Sequence, residues 1–216
     1  MDGPMPFLLL LCVVALAVRF GWKALRHRQH IRRHERECTN GARAFDRGDY
    51  DVALTEFRAL LNCPQCDPCE PAQTMVGLCL QMQAKYDEAI SAFEIAHKLD
   101  PQSLSPIRQL AYLLACAPDD ELRDGRRAMA MAKKACGISD DTDWVGLTLL
   151  AGAEAELGRF DEAVTVYERA MSLMPEHERD KRSDSLKDLR SGLPFRCNPS
   201  FDRSRLLKTY RTQSGS

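Results

Sequence analysis

Apolar side chains recur along this sequence in one repeated phrase. Tyr50 is followed by Ala53 and Phe57, Tyr86 by Ala89, Phe93 and Pro101, and Phe160 by Ala163, Tyr167 and Pro175. An aromatic, a small residue three positions on and a second aromatic four later all fall on one face of a helix. Gly48-Asp49 and Gly158-Arg159 precede two of the copies, where a turn is required. Each phrase therefore predicts one helix of an antiparallel pair. Ala53, Ala89 and Ala163 form the notch through which the helices approach, and Tyr50, Tyr86 and Phe160 fill the space beside it.

The spacing predicts a fourth, worn copy. Ala53 to Ala89 is 36 residues, whereas Ala89 to Ala163 is 74, two units of about 34 residues with a short insertion. The middle unit places its helices at Leu104 to Cys116 and Arg126 to Cys136, with Ala128, Ala132 and Ala135 at the small positions and the extra residues between Ala117 and Gly125. A closing helix over Glu176 to Arg190, with Leu186 and Leu189 inward, ends at Gly192 and Pro194.

These phrases resemble the tetratricopeptide repeat, a helix-turn-helix unit of about 34 residues. The matching positions are Gly41, Gly48, Tyr50, Ala53, Phe57, Gly77, Tyr86, Ala89, Phe93, Pro101, Gly158, Phe160, Ala163, Tyr167 and Pro175. The resemblance implies an all-α solenoid with three recognisable repeats and one degenerate one, at about 37–67, 70–103, 104–140 and 144–177. A capping helix would follow at 179–193 and a basic, disordered tail at 194–216. It also implies a concave surface lined by the first helix of each unit. Aligned on the alanines, that surface receives Cys38, Ala42 and Phe45, then Thr74, Leu78 and Met82, then Arg108, Tyr112 and Ala115, then Thr148, Gly152 and Ala155. Phe45, Leu78, Met82, Arg108 and Tyr112 are the candidate partner-binding residues. Cys38 and Ala42 stand where the family's carboxylate clamp needs Lys and Asn, so that mode of binding is not expected. An apolar strip with acidic turns around it suits an amphipathic or apolar partner segment with basic flanks.

The start of the chain has a different texture. Pro6 to Val18 carries no charge, and Phe20, Gly21 and Trp22 extend the run to a length just able to span a bilayer. Nine of its side chains favour insertion by roughly 4 kcal/mol in total. Residues 1–22 are expected to be a transmembrane signal anchor and 23–36 a basic juxtamembrane helix that meets anionic lipid. Ala15-Leu16-Ala17 has the form of a cleavage site, but Asp2 precedes the run and the basic residues follow it, opposite to a secretory signal.

Charge is segregated although the whole chain carries only −1. Arg19 to Arg36 has seven Lys or Arg against one Glu, a net of +6; Glu37 to Glu178 has 13 against 25, a net of −12; Arg179 to Ser216 has 10 against 4, a net of +6. An acidic repeat region excludes nucleic acid as its partner. In the tail, Arg196, Arg203, Arg205, Lys208 and Arg211 alternate loosely with Phe195, Phe201 and Tyr210, a second basic surface.

Three of the nine cysteines form Cys63-Pro64-Gln65-Cys66-Asp67-Pro68-Cys69. That spacing opens many iron–sulfur and zinc loops, but no fourth ligand follows at the usual distance, and the two prolines suit a linker between repeats. An ordinary loop is expected, with no cofactor. The chain has no glycine-rich phosphate loop, no G-x-S-x-G elbow and no H-E-x-x-H, so an enzyme is not expected.

The sequence thus predicts a membrane-anchored scaffold that binds protein partners on a concave face. The Leu113–Ala128 and Ser191–Arg196 stretches resemble variants in bacterial members of the family, which places it at a bacterial inner membrane. The alternatives are a protein similar to organelle import receptors, and a secreted or periplasmic metal or thiol module working through the cysteine loop. Positive charge after the apolar run puts the N-terminus outside and the repeats in the cytoplasm. A reporter fused after Ser216 should then be active only if it is of the cytoplasmic type; a mature protein beginning near Val18 in a soluble extracytoplasmic fraction overturns this topology.

Overall fold

The computed structural model describes residues 35–63, 69–139 and 143–196. The anchor expected at 1–22, most of the basic segment after it, Cys66 and the residues beyond 196 lie outside the described residues. Among the described residues every regular element is helical, and no helix is long and apolar enough to cross a membrane. Helix α1 is described over 35–47 and is followed by α2 (Tyr50–Leu61), α3 (Glu70–Met82), α4 (Tyr86–Leu99), α5 (Leu104–Cys116), α6 (Gly125–Ile138), α7 (Trp144–Glu156), α8 (Phe160–Leu173) and α9 (Glu176–Arg190). From α2 onward each helix packs on the next, and α5 also packs on α7 across the helix that separates them. The result is an α-solenoid whose core, among the described residues, has one large cluster reaching from α1 to Ala153 of α7 and smaller clusters that carry it on to Leu189 of α9.

Within each pair a small residue of the first helix meets the second helix. Gly41 on α1 faces Phe57, and Gly77 on α3 faces Phe93; a methyl group added at Gly77 would lie 2.6 Å from the Phe93 ring. In the third unit the corresponding contact is Ala111 with Ala132, small against small, and in the fourth it is Ala151 with Tyr167. Ala53, Ala89, Ala128 and Ala163 are completely buried at the notch between paired helices. The third unit lacks the ring, and Leu149 of α7 packs beside Ala111 and Ala132 in its place. Ala92, three positions after Ala89 and so beside it on the helix surface, is only 4% exposed and belongs to the same core.

Turns inside the pairs repeat one hydrogen-bond pattern. Gly48 N donates to Phe45 O at 3.0 Å and Asp49 N to Ala44 O at 2.9 Å; the same two bonds recur at Ala84 and Lys85, at Gly158 and Arg159, and at Gly192 and Leu193. This is the Schellman ending, and it needs a left-handed residue. Gly48, Gly158 and Gly192 supply it at φ of 88°, 76° and 72°, whereas Ala84 is held there at 59°. Gly192 lies 34 residues after Gly158, so α9 ends like the first helix of a fifth unit. No second helix follows it among the described residues; Leu193 to Arg196 leave the turn without helical structure.

The insertion in the third unit is pinned by Arg123. A short 3-10 turn over Asp120–Leu122 leads into Asp124, whose carboxylate caps α6 by accepting from Arg126 N and Arg127 N. The Arg123 guanidinium donates to Ala117 O at 2.8 Å and to the Asp120 carboxylate, closing the loop onto itself.

Two stability outcomes follow from this packing. Gly77→Ala should destabilise by about 1 to 2 kcal/mol through overpacking against Phe93, while Gly137→Ala in α6, where an added methyl meets nothing within 4 Å, should be neutral or stabilising. Equal melting temperatures for the two variants would show that the ring can move aside. Ala84→Gly should raise stability by about 1 kcal/mol by relieving the left-handed alanine, and Gly158→Ala should lower it by a similar amount; thermal melts that fail to move in opposite directions contradict the shared turn.

Candidate interaction face

The first helices of the second, third and fourth units, α3, α5 and α7, share a register. Counted from their first residues, Thr74, Leu78, Gln81 and Met82 correspond to Arg108, Tyr112, Ala115 and Cys116 and to Thr148, Gly152, Ala155 and Glu156. The outcome for the candidate binding residues is mixed. Phe45 is 2% exposed and packs edge-on against Tyr50, with ring centroids 5.4 Å apart, and Leu78 is 4% exposed within the same core cluster. Both are core residues, because apolar surface at the junction of repeats gains more by burial there than by facing a groove. Met82 and Tyr112 are half-buried and pack against that core. Arg108 is half-buried and donates to Asp143 Oδ2 at 2.5 Å. Asp143 is also the cap of α7, accepting from Val145 N and Gly146 N, so this pair ties α5 to the start of the next unit.

Residues that the sequence reading assigned to a disordered tail complete this face. Phe195 packs over Gly152, where an added methyl would lie 3.1 Å from Phe195 Cδ2 but 3.8 Å from both Ala115 Cβ and Cys116 Sγ. Its ring is 5.4 Å from that of Tyr167. The next residue, Arg196, donates to Glu156 Oε2 at 3.0 Å. The segment Leu193–Arg196 thus runs back from α9 onto α5 and α7, and positions 194–196 are ordered contacts instead of a solvated terminus. Aromatic and basic composition alone gave no sign of this; the signal was the 34-residue recurrence of the glycine turn, which reverses the chain toward the solenoid.

Glu156 is shared between two guanidiniums. Arg123 Nε donates to its Oε1 at 2.9 Å while Arg196 holds Oε2, and the Glu156 side chain is 16% exposed. Burial opposes the charge on Arg123, but hydrogen bonds to Glu156 and Asp120 more than offset it and raise its affinity for the proton. At the far end of α3, Gln81 is 3% exposed and neither of its amide atoms has a hydrogen-bond partner among the described residues. In the same register position the third and fourth units carry Ala115 and Ala155.

The final helix docks by a different chemistry. The Arg182 guanidinium lies 5.0 Å from the centre of the Trp144 ring and donates to Glu178 Oε2 at 3.3 Å, while Tyr167 Oη donates to Arg182 O. Trp144, Arg182 and Glu178 were not singled out from the sequence, since a Trp and an Arg 38 positions apart share no local pattern.

Cysteines contribute no assembled site among the described residues. Cys63 and Cys69 flank residues 64–68, which include Cys66, and no group of His, Cys, Asp and Glu is gathered as for a metal among the described residues. Cys79 is buried in the core, and desolvation pushes its thiol up to about 12, so it stays protonated and packs as an apolar side chain.

The fold is an all-α solenoid of the tetratricopeptide type. The family described as Tetratricopeptide repeat matches residues 147–182, which span α7, α8 and the first part of α9. MamA of Desulfovibrio magneticus RS-1 is similar in structure at a TM-score of 0.58 with 15% identity, covering 82% of this chain and 96% of that one. A thermophilic TPR protein of Thermus thermophilus is similar at 0.51 with 22% identity, covering 65% and 74%. At these identities the likeness is one of fold. No curated protein sequence matches this chain.

Proposed function

We propose that this protein is a scaffold that binds segments of other proteins along the face formed by α3, α5 and α7. The observation that carries the reading is that this face already holds a short non-helical piece of chain, Leu193 to Arg196, by one aromatic contact and one ion pair. A surface of small residues can take a foreign segment in the same way, with apolar anchoring setting affinity and charge setting the encounter rate. The half-buried Met82 and Tyr112 extend the surface toward the N-terminal units. The membrane part of the proposal rests on the uncharged run from Pro6 to Val18 and the arginines behind it, which would hold the repeats at the cytoplasmic side of a bacterial inner membrane.

The test is site-directed photocrosslinking in native membranes. A crosslinker at Met82 or Tyr112 should capture partner protein, whereas one at Val52, exposed on α2, should not. Met82→Ala combined with Tyr112→Ala should weaken capture about tenfold or more, the loss of one or two anchoring side chains, with the helical circular dichroism retained. Capture through Val52 alone would move binding to the outer helices and end this proposal.

A further inference from the structure

The junction of α5 and α7 has the form of a small, specific subsite. Its floor is the bare backbone of Gly152, its wall is Ala115, Cys116 and Tyr167, and its polar end is Glu156. Phe195 is the side chain that most closely approaches the Gly152 position; the other neighbours stand off at ordinary contact distance. Glu156 is already partnered by Arg123, so its second oxygen offers one directional acceptor beside the aromatic slot. A half-buried carboxylate oxygen discriminates strongly in favour of a donor, and guanidinium is the cation best suited to such a fixed geometry.

We propose that this subsite recognises an aromatic side chain followed directly by an arginine, that Phe195–Arg196 occupies it in the free protein, and that a partner carrying the same dyad binds by displacing it. The inference rests on the scaffold reading and narrows its ligand to a stated chemistry. Two features of the seated segment support exchange. Leu193 and Arg196 are exposed, at 56% for Leu193 and 42% for the Arg196 side chain. Pro194 lacks a backbone N–H, so this stretch has one fewer donor to commit to the solenoid. The occupant also has the right charge, since the segment belongs to a region of net +6 and the repeats to one of net −12, from the counts of Lys and Arg against Asp and Glu given above.

The experiment uses the full chain in detergent or nanodiscs and a labelled synthetic peptide, Leu-Pro-Phe-Arg with blocked ends, read by fluorescence anisotropy. A protein whose site is occupied nine-tenths of the time binds about tenfold more weakly than its open form. The Phe195→Ala/Arg196→Ala variant should therefore bind this peptide about tenfold more tightly than wild type. Peptides with Phe or Arg replaced by Ala should show no such gain, and adding Gly152→Leu to the open variant should abolish binding. Should the double variant fold poorly, Arg196→Glu alters one exposed side chain and sets like charge against Glu156; it should still raise affinity about threefold. Unchanged affinity in a folded open variant, or in Arg196→Glu, overturns the displacement model and makes Phe195 a fixed part of the end cap. Loss of the gain with partner capture at Met82 and Tyr112 intact refutes the dyad alone, whereas loss of both removes the scaffold reading as well.

Discussion

Close approach of paired helices at a small residue is the constraint from which the rest of this structure follows. Each notch alanine is fully buried, and the contact across each pair sets a small residue on the first helix against its partner: glycine against phenylalanine twice, alanine against alanine once, alanine against tyrosine once. Interiors at crystal-like density leave no slack for an added methylene. The third pair is much smaller than the others, and Leu149 of the next unit packs into the same cluster, so the core stays filled where the ring is absent. The pairs then stack in order, and the first helices α5 and α7 pack on each other.

A stack of this kind has to end. The last exposed face of a solenoid would leave apolar surface in water unless something polar covers it. Here α9 provides the cover, held by Arg182 over Trp144 and by the Tyr167 hydroxyl, and its closing turn copies the turn of a complete unit. Past that turn Phe195 packs back on the stack, its ring joining the cluster around Tyr167 and Leu189. End-capping and occupation of the inner face are thus performed by the same short segment.

The repeat architecture was legible because its determinants are local and periodic. Tyr86, Ala89 and Phe93 lie within eight residues of one another and share a helix face, so their spacing alone reveals which side is buried. The candidate binding face was less legible. Whether Leu78 points to a groove or into the junction of repeats depends on a rotation of a fraction of a turn about α3, and in a helix with so many buried positions the polarity pattern does not resolve it. Arg108 illustrates the same limit: its partner Asp143 is 35 residues away, and a helix-capping role for Asp143 is visible in sequence while the ion pair is not. The seating of Phe195 was hidden for a third reason. A basic, Pro-containing terminus reads as solvated by composition, and only the recurrence of the glycine turn at Gly192 shows that the chain is aimed back at the solenoid.

Charge on the inner face is neutralised internally, and this shapes what the surface can do. Glu156 is bracketed by Arg123 and Arg196, and Arg108 is matched by Asp143, so the paired groups leave little uncompensated field where a ligand would sit. A long-range acidic field remains on the repeats as a whole, but at physiological salt it decays within about 8 Å. Attraction of a basic segment therefore acts at encounter, and discrimination must come from short-range fit. A ligand whose cation cannot replace Arg196 at Glu156 would leave a partly buried carboxylate short of one donor, a penalty of about 1 to 3 kcal/mol. That penalty, more than the net charge of the domain, separates a segment that can settle on this face from one that is only drawn near it.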